Sequence, residues 1–194
     1  LPQYGVAIDY LDNAGNQRDQ DFSFRFDTSS PTATVANPID GAFKAAAFTI
    51  SGASSDPDPD GAGPRGPTNV STVTVSIQNL TTGLCYDYGI GFTAACPNPV
   101  PAAGTPAAWT FTPTPNPYAT GVSYLVVATA LDNAGNTQDV FAIGTSSNTF
   151  TYDTAVPTVA ITLPSGGRTK ATTPSLIGTG TASNGVATGL ALIE

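Results

Sequence analysis

The residues best equipped for chemistry are aspartates, and they fall in three short segments far apart in the chain. Asp27 stands in Phe26-Asp27-Thr28. Asp56, Asp58 and Asp60 alternate with prolines in Ser54-Ser55-Asp56-Pro57-Asp58-Pro59-Asp60-Gly61. Asp132 and Asn133 open the string Asp132-Asn133-Ala134-Gly135-Asn136. Carboxylates and carbonyls are hard oxygen donors, and calcium takes six to eight such ligands. The chain has no histidine, and its two cysteines, Cys85 and Cys96, lie elsewhere. Zinc and copper are poorly served by that donor set. The same lack of histidine removes Ser-His-Asp and Cys-His nucleophile arrangements. No glycine-rich phosphate loop follows a strand and opens a helix. Paired carboxylates hydrolyse glycosides in some enzymes. These aspartates, however, sit on turns of a repeat, where an inter-module role is the simpler account, and the chain does not read as an enzyme.

Three acidic segments make one site only if a fold brings them together. Of the 194 residues, 40% are hydrophobic and 10% are charged, with 20 glycines and 17 prolines. A disordered chain usually carries more charge and fewer aromatics. The apolar residues come in short alternating runs between turn residues, which is the pattern of an all-β protein. The formal net charge is −8, with six lysines and arginines. So few cations disfavour nucleic acid and anionic membrane surfaces as partners. No apolar run reaches the roughly 18 residues a spanning helix needs. No signal peptide is visible, and the opening Leu1-Pro2-Gln3 reads as a mature or excised fragment.

The chain repeats itself. Leu11-Asp12-Asn13-Ala14-Gly15-Asn16 recurs unchanged at Leu131-Asp132-Asn133-Ala134-Gly135-Asn136, an offset of 120. Phe26-Asp27-Thr28-Ser29-Ser30-Pro31-Thr32 aligns with Tyr152-Asp153-Thr154-Ala155-Val156-Pro157-Thr158, an offset of 126. An insertion after the second turn accounts for the difference. The repeat has the length of one immunoglobulin-like sandwich. The register predicts closing strands of one module over 1–30, a complete module over 31–154, and opening strands of a third over 155–194.

Within the complete module the pattern predicts seven short antiparallel strands, over 32–36, 47–52, 71–78, 84–88, 108–112 and 123–131, with 150–153 ending the last. Val73, Val75 and Ile77 alternate with Thr72, Thr74 and Ser76, the period of a half-buried strand. Tyr124, Val126, Ala128 and Ala130 share one face of another. Tyr124, early in its strand and after Gly121, fits the tyrosine corner of such sandwiches, and Tyr4 takes the same place in the preceding module. The Asn-Ala-Gly-Asn turns call for positive φ, which Asn and Gly tolerate.

The string Tyr-x-Val-x-Ala-x-Ala-x-Asp-Asn-Ala-Gly-Asn, followed by Phe/Tyr-Asp-Thr-x-x-Pro-Thr, resembles the bacterial Ig-like repeats of large surface proteins and adhesins. The resemblance covers most of the chain but defines a module class rather than a function. It implies an extracellular, rod-forming array, often stiffened by calcium between modules. Residues 79–107 fit it less well and read as an insertion.

In such a sandwich the B–C and F–G loops lie at the pole where the chain enters. The expected junction site is therefore Asp27 from the linker, Asp56, Asp58 and Asp60 from the B–C loop, and Asp132 with Asn133 from the F–G turn. Like charges held together oppose folding unless a cation neutralises them. The alternative is that Asp-Pro-Asp-Pro-Asp is a solvated turn and that Asp27 merely caps a bend. A weaker second junction would use Asp153 and Asn184. Cys85 and Cys96 bracket a hairpin that a disulfide would close, a constraint worth roughly 2–3 kcal/mol on the chain-entropy argument. Within it, Tyr86, Tyr88 and Phe92 either form an exposed aromatic face or pack under the Pro-rich loop 97–106, and packing is the simpler expectation.

Three functions compete. The first is a stalk or fibre segment of a surface protein, its partners being neighbouring modules. The second is a binding module for a host or matrix glycan or protein, through the 79–107 insertion. The third is a filament subunit, in which chains associate head to tail and complete each other's partial sandwiches by strand addition.

Overall fold

The computed structural model describes residues 3–57, 70–163 and 177–181, and among them every regular element is a strand. In chain order these are β1 (Gln3–Leu11), β2 (Gln17–Arg25), β3 (Thr32–Asn37), β4 (Ala42–Lys44), β5 (Ile50–Ser55), β6 (Val70–Asn79), β7 (Cys85–Asp87) and β8 (Gly91–Ala94). They continue with β9 (Val100–Pro101), β10 (Ala103–Thr105), β11 (Ala108–Phe111), β12 (Val122–Asp132), β13 (Ser147–Tyr152), β14 (Thr158–Leu163) and β15 (Ile177–Thr181).

Strands β3 to β13 form two sheets. The smaller runs β10-β11-β5-β3. The larger runs β4-β13-β12-β6-β7-β8, with β9 on β6. Both sheets feed one apolar core, as a β-sandwich requires. Val73, Val75, Ile77, Tyr124, Val126 and Phe150 come from the larger sheet, and Val35, Ile50, Trp109 and Phe111 from the smaller. The alternation read from the sequence selects these faces: Tyr124, Val126, Ala128 and Ala130 are all fully buried.

Two close approaches shape the core. A side chain at Gly52 would start 1.8 Å from the Thr34 carbonyl oxygen and 2.5 Å from the Trp109 ring. Glycine is therefore what lets the Trp109 ring approach β5 so closely. At the other end Tyr118, Tyr124 and Phe150 form an aromatic cluster with centroids 5.0 to 5.3 Å apart. Burial holds the Tyr118 phenol above its ordinary pKa, and it does the same to Tyr124. The Ala119 N–H donates to Tyr124 Oη at 2.8 Å. That bond ties the start of β12 to the chain just before it.

The strands depart from expectation in three ways. β5 begins at Ile50, not at 47. β4, β9 and β10 were not foreseen; each has two or three residues, too few to display an alternation. The pairing is also not wholly antiparallel, because β4 runs parallel to β13. Residues 38–41 move the chain from the smaller sheet to the larger. Gly41, at φ 72°, makes the bend, and its N–H donates to the Thr149 carbonyl at 2.9 Å. Asp40 Oδ1 fixes the move by accepting the Thr149 N–H and hydroxyl at 2.7 and 2.8 Å. Those bonds hold the Asp40 carboxyl below the usual carboxylate range.

The repeat is also a repeat of register. Tyr124 pairs with Phe150 in β12–β13, and Tyr4 pairs with Phe24 in β1–β2. Val35 pairs with Gly52 in β3–β5, and Ile161 pairs with Gly178 in β14–β15. Both of the latter ladders slip just past that pair. The insertion takes the form of an excursion over 138–146. It leaves the β12–β13 ladder after the Leu131–Thr137 bridge and rejoins it where Val127 pairs with Ser147.

Candidate metal centre

Asp132 closes β12 and staples its own turn. Its Oδ1 accepts the Ala134 and Asn136 N–H groups at 2.8 and 2.7 Å, and its Oδ2 accepts Asn136 Nδ2 at 2.8 Å. Positive φ falls on Gly135 alone, so the asparagines expected to share that burden do not. Asp27 lies in the stretch between β2 and β3. Its Oδ1 accepts the Ser29 N–H at 2.9 Å and the Ser29 hydroxyl. Asp56 follows directly on β5, which belongs to the opposite sheet from β12.

These three carboxylates converge, with one oxygen from each lying within 4.8 Å of the others. Asp56 is 1% exposed and Asp132 3%. At such separations two full charges repel by on the order of 3 kcal/mol at an effective dielectric constant of about 20. Asn136 joins the pieces: besides holding Asp132, its Nδ2 donates to the Asp27 carbonyl oxygen at 3.1 Å. The Ser29 hydroxyl, whose proton goes to Asp27, also lies 3.2 Å from the Pro57 carbonyl oxygen. The donors gathered here are three carboxylates, the chemistry of a hard divalent cation.

Of the junction residues read from the sequence, Asp27, Asp56 and Asp132 come together. Asn133 is exposed on the same turn as Asp132. Asp58, Asp60 and Asn184 lie outside the described residues. Asp153 repeats the local geometry of Asp27, accepting the Ala155 N–H at 2.9 Å and the Thr120 hydroxyl at 3.2 Å. Ser29 and Asn136 were missed as parts of the centre. Asn136 was in view as the last residue of the repeated string, but only its turn role was legible.

Cys85 and Cys96 form a disulfide. The hairpin it closes does not present three aromatic rings. Tyr86 is in the core against Phe92 and Phe111, and Phe92 is half-buried against Tyr124. Tyr88 alone is exposed. The expected cover, the Pro-rich loop, contributes Asn98, whose Nδ2 donates to the Tyr86 carbonyl at 2.9 Å. The rings themselves are packed by β11 and β12.

No protein-family model matches the chain, and no curated protein matches it. What is established is an all-β, sandwich-like protein with one disulfide and an acidic triad of which Asp56 and Asp132 are buried and Asp27 is half-buried.

Proposed function

We propose that the chain is a run of immunoglobulin-like modules forming a stiff segment of an extracellular surface protein, with calcium bound at Asp27, Asp56 and Asp132. The observation that carries this reading is the convergence of a linker carboxylate with two buried carboxylates from opposite sheets. A cation there would tie the incoming linker to the pole of the sandwich. The Ig-like assignment is supported by the strand order, by the parallel pairing of the early strand β4 with β13, the last strand of the sandwich, and by the Tyr124–Ala119 corner. The repeated registers support reading 1–30 and 155–194 as parts of neighbouring modules.

The test is calcium titration of the 194-residue chain, followed by thermal unfolding and small-angle scattering. A ligand that binds only the native state adds about 2.7 kcal/mol at a hundred times its Kd. We expect a calcium-dependent rise in Tm and a stiffer rod. Asp56→Asn should abolish the response while raising the Tm in chelator, because one of three mutually repelling charges is gone. An unchanged Tm at millimolar calcium would remove the metal from the reading.

A second reading, head-to-tail assembly, is favoured by the exposed apolar faces of the flanking hairpins. Tyr4, Val6 and Ile8 are about half exposed on β1, and Val159 and Ile161 are more so on β14. Association that grows with protein concentration and is lost in Ile161→Asp would favour it over a simple stalk.

A further inference from the structure

Two segments have no counterpart in the ladders of the flanking hairpins or fit the repeat poorly: the disulfide-closed insertion and the excursion over 138–146. Both border the same place. Pro97 and Pro99 with the Cys85–Cys96 bond form one side, and Phe141 the other, of a groove of about 680 Å³ on the larger sheet. Its floor is made by alternate residues of β6 and β12, those facing away from the core. We propose that this groove is a binding site for a small, uncharged, predominantly apolar molecule.

Three observations fix that chemistry. First, the volume is that of a pocket for a drug-sized ligand. Second, no charged side chain is among the described residues lining it, in a chain of net charge −8. An ionic ligand would lose its water there without gaining a counter-charge. Third, three of the polar side chains on the floor, those of Thr74, Ser76 and Gln78, are engaged within the protein. The Thr74 hydroxyl donates to the Thr129 carbonyl at 3.5 Å, Ser76 Oγ accepts the Asn98 N–H at 3.3 Å, and Gln78 Nε2 donates to the Gly83 carbonyl at 3.1 Å. A sugar, which brings several hydroxyls needing partners, is poorly answered by such a floor. The groove so read favours an apolar ligand over the glycan expected for the insertion.

Both walls are pinned, so little ordering is needed on binding. The disulfide and the Asn98–Tyr86 bond hold one. Gln138 holds the base of the other: it is buried, its Oε1 accepts the Ala33 N–H at 2.8 Å, and its Nε2 donates to the Val140 carbonyl at 2.9 Å. Three successive N–H groups, those of Thr145, Ser146 and Ser147, then close on the Ala142 carbonyl at 3.1 to 3.2 Å. Phe141 sits within this held loop.

The experiment is a titration of the 194-residue chain with N-phenyl-1-naphthylamine, a neutral apolar fluorophore. Thermal unfolding verifies that each variant is folded. The wild type should give saturable, single-site enhancement. Val127→Glu, which puts a charge on the floor, should weaken binding by about tenfold or more. Phe141→Ser, an exposed loop change that leaves the core untouched, should weaken it by about threefold or more, and it carries the test alone should Val127→Glu not fold. Ile8→Ser, on the apolar face of β1, should leave the affinity unchanged. The proposal is overturned if neither groove variant alters binding, if Ile8→Ser removes it, or if the wild type does not bind the probe.

Discussion

Two hairpins in this chain have the same sequence signature, the same turn and the same register, yet one is core and the other is surface. In β12–β13, Tyr124 is fully buried; in β1–β2 its counterpart Tyr4 is 46% exposed. Each turn carries an aspartate that accepts two main-chain N–H groups and an asparagine side chain. The hairpin is thus a locally complete object. What differs is what packs against it. A second sheet lies over β12–β13, and the linker aspartate and the end of β5 meet Asp132, whereas among the described residues Asp12 bonds within its own turn. Local geometry sets where the carboxylate points, and tertiary packing decides whether it belongs to a cluster.

The same contrast holds at the other end, and there it can be broken most sharply. Gly52 and Gly178 occupy matching register positions. A Cβ at Gly52 would overlap the Thr34 carbonyl and the Trp109 ring, whereas one at Gly178 would come to 3.0 Å from the Ala160 carbonyl. Gly52→Ala should cost the central sandwich more than about 3 kcal/mol, at or beyond the upper end of ordinary overpacking. Gly178→Ala should leave its unfolding midpoint unchanged. Denaturant unfolding followed by Trp109 fluorescence, the chain's single tryptophan, reads the central module alone. Equal effects at the two glycines would mean that the register match is not a structural equivalence.

A smaller effect separates the two tyrosines. Tyr124→Phe removes the acceptor for the Ala119 N–H, so a main-chain donor is left unmatched, and about 1–2 kcal/mol should be lost. Tyr4→Phe changes a ring that stacks on Phe24 at 5.4 Å and is open to water. It should change stability by less than about 0.5 kcal/mol. A comparable loss at Tyr4 would indicate that β1–β2 already carries a corner of its own.

Much of this was legible in the sequence because it follows from period and repetition. The alternation at Val73, Val75 and Ile77 selects the buried face without tertiary information, and two copies of one string define the repeat. Asp27, Asp56 and Asp132 were nominated together because a sandwich returns its strand ends to the same pole. Legibility failed where a role depends on a partner remote in sequence. Asn136 reads as a turn residue until the Asp27 carbonyl lies beside it. Tyr86 and Tyr88 are equally aromatic and both touch Phe111, and only the fold makes one of them core and leaves the other exposed. The parallel β4 was hidden because three residues carry no period and the Asp40–Thr149 clamp spans 109 positions.

The smallest effect concerns Asp12, whose turn stands on its own bonds. The Asn16 side-chain amide, and next the Asn16 main-chain N–H, hold the Asp12 carboxyl below its ordinary pKa. A carboxylate depressed in the folded hairpin stabilises the turn fully above its unfolded pKa. That contribution fades as pH falls from about 4 through the depressed value. Acidification, not alkali, should therefore loosen the 12–16 turn. Following the Asp12 carboxyl carbon by NMR should give a midpoint below the usual carboxylate value. The amide protons of Ala14 and Asn16, which point at its Oδ1, should shift along the same curve. Asn16→Ala should move that midpoint up, since it removes the largest cause. A midpoint indifferent to Asn16 would show that β1–β2 does not hold its turn as β12–β13 does, and the equivalence of the two hairpins would then extend to their ladders only.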